Sequence, residues 1–326
     1  MVESSTPWVK WQAPMQRVLY ALVPVILQAV YLFGWRVVLL LGVVNAAAYV
    51  AERAFTRQWK QPVSSAVFVT GTLFTLSLPP TLPYWMAVVG VVFGVVFGKM
   101  VFGGFGKNVF NPALTGRAFI YVCFGNYMTA VWGEPLTSAG PLGGWARYTC
   151  DAITQATPGM LMKEGQTFSL LGEVIGNCAG TIGGSGVILP ALGGLYIIWK
   201  KAANYRIVIS GILGFLALQS ALWLAGVDKA VAPLHAITAG SFAIGVFFYA
   251  TDPVSACQTD MGRWVYGAFI GAMSALIGVF SAWPAGTMFA ILMANMLAPL
   301  IDMVVKNTKG AGKKPTAAKA AVTAAG

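Results

Sequence analysis

Residues 18–35 read VLYALVPVILQAVYLFGW, an almost wholly apolar run that is long enough to cross a lipid bilayer as one helix. Only 10% of the 326 residues are charged and 57% are hydrophobic, whereas about a quarter of a typical soluble domain is charged. Further runs of spanning length, or slightly under, bring the set to 18–35, 37–51, 64–80, 84–103, 113–132, 183–199, 207–226, 235–250, 264–282 and 284–303. The sequence therefore predicts an all-α polytopic membrane protein of about ten transmembrane helices, the first of them uncleaved.

Some of these runs are poor candidates for regular helices. The runs at 64–80, 183–199 and 235–250 are short and contain Gly, Ser and Thr. Small and hydroxyl-bearing residues are typical of helices that are broken, tilted or packed inside a membrane bundle. We expect these three segments to be interrupted.

The basic residues indicate an orientation. With a cytoplasmic N-terminus, most of the 21 Lys and Arg fall in inside loops, Arg117 falls within a span, and the outside set is Arg36, Arg147, Lys163 and Lys229. Lys99 counts with the inside loops. This bias follows the positive-inside rule, so both termini are predicted to be cytoplasmic. The basic tail at 306–326 suits contact with anionic lipid, and no dense basic motif suggests nucleic acid.

The predicted division of the chain follows from this topology. A cytoplasmic N-terminus (1–17) precedes a first membrane half of five helices (18–132), and residues 133–182 form a long extracytoplasmic loop. A second half of five helices (183–305) precedes the tail at 306–326. The loop is rich in Gly and Pro, which favours an ordered segment that carries a cofactor or docks a partner.

Two polar stretches interrupt the membrane region. Residues 103–119 read GGFGKNVFNPALTGRAF and residues 247–262 read FFYATDPVSACQTDMG. One lies in each half, which predicts a 5+5 inverted repeat with broken helices that build a ligand site from amides and freed backbone groups. Asn108, Asn111 and Asp252 are the candidates for a flat polar ligand or a cation. Two plainer interpretations stay open, a tight packing loop and an N-cap at Asp252.

Other titratable groups give weaker signals. Arg117 and Asp302 lie at span positions, where an ionisable group must be paired or hydrated. His235, the single histidine, is interpreted as a satisfied interfacial residue. The four cysteines, at 123, 150, 178 and 257, have no metal-site spacing and are interpreted as buried apolar residues.

In this order and spacing, the stretches at 103–119 and 247–262, DAITQATPGM (151–160) and AGTMFAILMANMLAPLID (285–302) resemble the RnfD/NqrB family. The resemblance covers about residues 15–305. It implies a membrane subunit of the Rnf ferredoxin:NAD oxidoreductase, or of the related sodium-pumping NADH:quinone reductase. The length of the chain favours the Rnf type.

The same resemblance implies a covalent flavin. The family motif is Asp-x-x-(Ser/Thr)-Gly-Ala-Thr, and a flavin transferase attaches FMN through its phosphate to the last Thr. Position by position, Asp151, Thr154 and Ala156 match the motif and Thr157 is the attachment site. Gln155 departs from the family glycine. Without the resemblance, AITQAT would be interpreted as a turn or a helix cap.

A second, non-covalent flavin, riboflavin, is also implied within the bundle. Asn108 and Asn111 are its candidate ligands, Arg117 is grouped with the cofactor residues, and Asp252 is the candidate for ion coupling. Relatives often carry an acid near Gly184, so a cation role cannot be transferred to that position.

The resemblance therefore implies a subunit of an ion-translocating enzyme in the bacterial inner membrane, not a complete enzyme. The implied partners are the other Rnf subunits, the extracytoplasmic FMN subunit RnfG and a flavin transferase. The coupled ion would be Na⁺ or H⁺. Two alternatives remain: a stand-alone transporter or channel for a small polar solute, and an NqrB-like subunit of a quinone-reducing sodium pump.

Overall fold

The architecture comes from a computed structural model of the chain, which describes residues 8–138, 142–153, 157–166, 169–238, 241–281 and 286–311. Within these ranges the chain is almost entirely helical. Two short strand pairs lie outside the helices: β1 (Val9–Lys10) runs parallel to β2 (Val63–Ser64), and β3 (Trp132–Gly133) runs antiparallel to β4 (Ala152–Ile153). The prediction of an all-α membrane protein is confirmed.

The helices in chain order are α1 (Ala13–Phe33), α2 (Arg36–Gln58), α3 (Ala66–Leu76), α4 (Tyr84–Val95), α5 (Pro112–Cys123), α6 (Gly125–Thr129), α7 (Pro158–Lys163), α8 (Leu170–Ile175), α9 (Ile188–Trp199), α10 (Tyr205–Leu224), α11 (Pro233–Thr238), α12 (Phe242–Ile244), α13 (Asp260–Phe280) and α14 (Gly286–Ala311). Two of them continue as single π-turns, α4 through Val96–Met100 and α12 through Gly245–Tyr249. Such turns are rare and occur frequently at functional sites.

The described helices fall into a long class and a short class. In the described part of the chain, five helices are long and apolar enough to cross a membrane: α1, α2, α10, α13 and the Gly286–Thr308 part of α14. Ala66–Leu76, Tyr84–Met100 and Ile188–Trp199 are apolar but shorter. The runs at 64–80 and 183–199 each contain one short helix, and the run at 235–250 contains most of α11, then α12 with its π-turn. The run at 113–132 is also interrupted, because the helix ends at Cys123 and restarts at Gly125.

The helix pairs of the two halves correspond. Helix α2 packs on α3 and α4, and α4 packs on α5; in the second half α10 packs on α13, and α13 packs on α14. Helix α1 packs on α9, the first helix of the second half. These contacts pack the predicted halves against each other within one bundle.

Glycines allow the closest of these crossings. A Cβ atom on Gly116 of α5 would collide with the Gly90 carbonyl of α4, and one on Gly271 of α13 would collide with the Gly211 carbonyl of α10. Small residues at membrane helix crossings let backbones approach and gain van der Waals contact. Each half therefore has one glycine-dependent crossing.

The long loop is ordered against the turn between α1 and α2. The Trp35 amide donates to the Arg147 carbonyl at 3.2 Å, and the Arg36 amide donates to the Tyr148 carbonyl at 2.8 Å. The Tyr148 hydroxyl lies 2.9 Å from the Tyr84 hydroxyl. These bonds fix one end of the bundle, and they place Arg36 and Arg147 at the same end, as the charge count predicted for both.

Candidate functional site

Thr157 occupies a defined position at the start of α7. Its backbone is extended, and its carbonyl accepts from the amides of Met160 at 2.8 Å and Leu161 at 3.0 Å. Pro158 follows at the first helical position, where its missing N–H costs nothing. The Thr157 side chain is 9% exposed and makes no capping hydrogen bond. Its hydroxyl is therefore not committed to the helix cap.

A cavity of about 110 Å³ lies beside Thr157, and we call it the Thr157 cavity. Its wall is built by α7, α10, α12, α13 and the start of α14, with apolar surface from Met160, Phe215 and Phe242.

Two cations line this cavity. Lys163 and Lys229 both face it, and no acidic residue is among its described lining residues. Burial lowers the pKa of Lys163, and the nearby charge of Lys229 lowers it further. Lys163 Nζ also donates to the Ser281 carbonyl at 3.2 Å. An anionic group bound here would be attracted to both Lys163 and Lys229, because no acidic residue of the described lining neutralises them.

Neutral hydrogen-bonding groups lie in the same cavity. Ser274 Oγ is buried and has no hydrogen-bond partner among the described residues. Gln219 donates through Nε2 to the Val231 carbonyl at 2.7 Å. A buried hydroxyl without a partner costs free energy unless a ligand or water satisfies it. The cavity therefore combines cationic, hydrogen-bonding and apolar side chains.

The remaining motif residues divide between described and undescribed positions. Asp151 is exposed, and its carbonyl accepts from the Glu134 amide at 3.1 Å as the β3–β4 pairing ends. Thr154, Gln155 and Ala156 lie outside the described residues.

A second cavity, of about 60 Å³, lies where the two halves meet at the other end of α12. We call it the Asn111 cavity. Its lining includes Lys99, Asn108 and Asn111 from the first half and Asp252 from the second. The two polar stretches that the sequence singled out are thus brought together in one place.

Asn111 has a structural part in this cavity. Its side-chain oxygen accepts from the Ala113 amide at 3.0 Å, as the N-cap of α5, and its Nδ2 donates to the Tyr249 carbonyl at 3.3 Å. Its backbone amide donates to Asn295 Oδ1 at 3.1 Å. Asn295 also donates to the Ser255 carbonyl and the Tyr266 hydroxyl. Asn111 therefore joins the two halves as well as lining the cavity.

Asn108 and Asp252 are less committed. Asn108 Nδ2 donates to the Phe110 carbonyl at 3.1 Å. The Asp252 carboxylate accepts from the Val254 amide at 3.3 Å and the Ser255 hydroxyl at 2.8 Å, which closes a local turn. These two bonds are the local capping contacts that the plainer interpretation of Asp252 expected. Asp252 also lines the cavity.

Sequence reasoning missed a buried ion pair in this wall. Lys99 Nζ lies 2.6 Å from Glu52 Oε2, and each side chain is only 2% exposed. Lys99 is therefore a buried residue of the bundle and not a solvated charge, since it belongs to the π-turn at the end of α4. An acid and a base that both adjoin apolar runs were the signal available in the sequence.

Three other ionisable residues line neither the Thr157 cavity nor the Asn111 cavity. Arg117 is buried, lines neither cavity, and leaves its Nε without a partner among the described residues. Asp302 accepts from the Gln258 amide at 2.7 Å and the Thr259 amide at 3.0 Å. His235 Nδ1 lies 3.3 Å from the buried Glu173 carboxylate, so the interpretation of His235 as a satisfied residue is confirmed.

Comparison with known proteins identifies relatives of this chain. The model of the family described as "NQR2, RnfD, RnfE family" matches residues 4–310. The chain is similar to the NqrB subunit of the Na(+)-translocating NADH-quinone reductase of Neisseria meningitidis serogroup B, with 40% identity over 78% of the chain and 63% of the relative. It is 41% identical to the NqrB subunit from Ectopseudomonas mendocina, with the same coverage. The NqrB subunit from Klebsiella pneumoniae is 38% identical over 76% of the chain and 60% of the relative.

The chain spans less than two thirds of the length of these relatives. The family match nevertheless covers both halves and both cavities. The chain is therefore a member of the NQR2, RnfD and RnfE family of membrane proteins.

Proposed function

We propose that this chain is the flavin-carrying membrane subunit of an ion-translocating electron-transport complex, with FMN esterified to the Thr157 hydroxyl. The observation that carries the proposal is the position of Thr157, whose hydroxyl is free of capping duty and whose side chain lines a cavity with Lys163 and Lys229. A phosphoester at Thr157 would place its negative charge beside the two ammonium groups. The attached flavin supplies one-electron redox chemistry, and the chain binds and orients it.

The motif and the loop give the proposal its partners. Asp151, Thr154 and Ala156 would form the sequence that a flavin transferase recognises before Thr157. The ordered loop at one end of the bundle suits electron exchange with an extracytoplasmic FMN subunit of the RnfG type. By the charge count, that end faces away from the cytoplasm in a bacterial inner membrane, with both termini inside.

The Asn111 cavity is the proposed site of the second, non-covalent flavin, riboflavin. Asn108 offers amide groups to its ring, and Asp252 is the proposed ion-coupling acid in the same wall. Electrons would pass between the two flavins, and the coupled ion would be Na⁺ or H⁺.

For the electron couple, the names of the relatives support NADH–quinone reduction, which the sequence analysis held as an alternative to ferredoxin–NAD. The decisive assay uses the purified complex with NADH, supplying either a water-soluble quinone or oxidised ferredoxin as acceptor. Sodium-stimulated quinone reduction supports the NADH–quinone role. Ferredoxin-dependent turnover without quinone reduction would assign the Rnf role instead.

Peptide mapping tests the covalent flavin directly. Trypsin should release residues 148–163 as one peptide, and we expect it to carry the mass of FMN less one water on Thr157. An unmodified peptide from cells that contain the flavin transferase would contradict the proposal. It would favour the solute-transporter alternative, which needs no covalent cofactor.

Replacing Lys163 is expected to shift the Tm in opposite directions in the flavin-free and the flavin-bearing protein. Because the pKa of Lys163 is depressed in the folded state, the charged side chain destabilises the fold at pH values below that pKa, and stability should rise as the pH increases from the folded-state pKa to the unfolded-state pKa. In a flavin-free Thr157→Ala background, Lys163→Met should therefore raise the Tm at neutral pH, by about 2 °C. In the flavin-bearing protein the same change should lower the Tm, because the phosphoester loses a counter-charge. A Tm shift of the same sign in both backgrounds would contradict contact between Lys163 and the phosphate.

A further inference from the structure

The buried pair of Lys99 and Glu52 calls for an explanation beyond stability. Removing two charges from water usually costs as much as their attraction returns, and apolar side chains of similar volume often give a fold that is equally or more stable. This pair lies within a membrane protein, and its Lys99 member lines the Asn111 cavity. The question is what its charge does for a ligand in that cavity.

Two hydrogen bonds, one to each oxygen, hold the Glu52 carboxylate in place. Its Oε1 accepts from the Ser64 amide at 3.0 Å, while Oε2 accepts from Lys99. Ser64 belongs to β2, which is fixed by its pairing with β1. The carboxylate is therefore anchored on the side away from the cavity.

Lys99 is positioned by the π-turn. Gly98, the preceding residue, packs closely on α5, since a Cβ atom there would lie 3.0 Å from Pro112 Cα. An ammonium has three N–H donors. Within the described chain only Glu52 accepts one of them, and Lys99 Nζ also lies 5.7 Å from the ring of Phe105, another lining residue. Donors remain for a ligand.

We propose that Lys99 binds the ligand of the Asn111 cavity, donating a hydrogen bond to a carbonyl oxygen of a planar redox cofactor, and that Glu52 is the residue that positions Lys99. This inference rests on the proposed function for the presence of a redox cofactor in that cavity. Flavins and quinones share the required chemistry, a conjugated carbonyl that becomes more negative on reduction.

The fixed cation favours the anionic reduced form of such a ligand. A redox cofactor bound there would supply the one-electron chemistry. Lys99 would lie beside its carbonyl oxygen, and the low local dielectric would strengthen the attraction of the ammonium for the charge that this oxygen gains on reduction.

The test uses the whole purified complex and the double substitution Lys99→Met with Glu52→Gln. Changing both residues avoids leaving one buried charge unpaired, which alone could prevent folding. Arg206→Met with Asp260→Asn is the matched control, since that pair lies 2.9 Å apart on exposed surface and lines neither the Thr157 nor the Asn111 cavity. Three quantities are measured: covalent flavin fluorescence of the denatured chain, flavin or quinone released by extraction, and the radical signal during a redox titration.

We expect the double variant to retain covalent flavin, to bind the extractable ligand about tenfold more weakly, as expected for loss of a charged hydrogen bond, and to lose the anionic radical signal. The control should match the wild type. If flavin is extracted from the wild type, the ligand is a flavin; if only quinone is extracted, Lys99 acts on a quinone. Unchanged ligand content and radical signal in the double variant would overturn the proposal, as would a wild-type complex that yields neither ligand.

Two further results distinguish failure of the Lys99 proposal from failure of the Thr157 assignment. If the double variant is not recovered, Lys99→Arg retains the charge but moves the donors, so an unchanged radical signal in that variant would also count against the role of Lys99. If covalent flavin is missing from the wild type, the Thr157 assignment fails. Extraction and titration with an artificial reductant still decide the role of Lys99.

Discussion

Thr157→Ala is expected to remove all covalent flavin from the chain and to reduce electron transfer through the assembled complex to background. The substitution deletes the hydroxyl that would carry the phosphoester, and α7 should still form because the Thr157 side chain makes no capping hydrogen bond. Loss of function should therefore occur without loss of fold. In-gel flavin fluorescence and turnover with the physiological electron donor measure the two effects.

Thr154→Ala is the matched control for this variant, since it removes a neighbouring hydroxyl from the same motif. We expect it to retain flavin on Thr157, with a reduced yield if the transferase reads Thr154. Loss of flavin in Thr154→Ala with retention in Thr157→Ala would move the attachment site. Full turnover of a flavin-free Thr157→Ala complex would refute the proposed role of this flavin.

Gly116→Leu is expected to prevent the chain from folding in the membrane. Gly116 faces the Gly90 carbonyl across the α4–α5 crossing, and even a Cβ atom collides with it. A leucine would force the two helices apart, and α5 carries Asn111 at its start. The cost should exceed the roughly 1–3 kcal/mol typical of overpacking, because backbone cannot give way as a side chain can.

Gly42→Leu tests whether that loss is specific. Gly42 lies in α2, and a Cβ atom there would meet nothing within 4 Å. Fluorescence-detected size-exclusion chromatography in mild detergent should show a monodisperse peak for Gly42→Leu and aggregate or no protein for Gly116→Leu. A well-folded Gly116→Leu protein would mean that the α4–α5 crossing is wider than the structure has it.

The sequence predicted much of the fold because a bilayer allows few arrangements. Apolar length located the long helices, and Gly, Ser and Thr marked the segments at 64–80, 183–199 and 235–250 that contain only short helices. The same reasoning placed Asn108, Asn111 and Asp252 at one end of the bundle, where they line one cavity. These features depend on local composition, which the sequence displays directly.

What escaped prediction depends on distant partners. The Lys99–Glu52 pair joins residues 47 positions apart, which sequence spacing does not reveal. Neither the N-cap role of Asn111 nor its bond to Asn295 was predicted. Packing of Lys163 and Lys229 on one cavity likewise required the tertiary structure.

Helix α12 and its π-turn have a mechanical consequence. Phe242 at one end lines the Thr157 cavity and Phe248 near the other lines the Asn111 cavity, about 9 Å away at the usual helical rise. So short a rod cannot tilt at one end without moving the other. A ligand that shifted α12 from one cavity would therefore change the affinity of the second cavity, and by thermodynamic reciprocity the second ligand would change the first by the same factor.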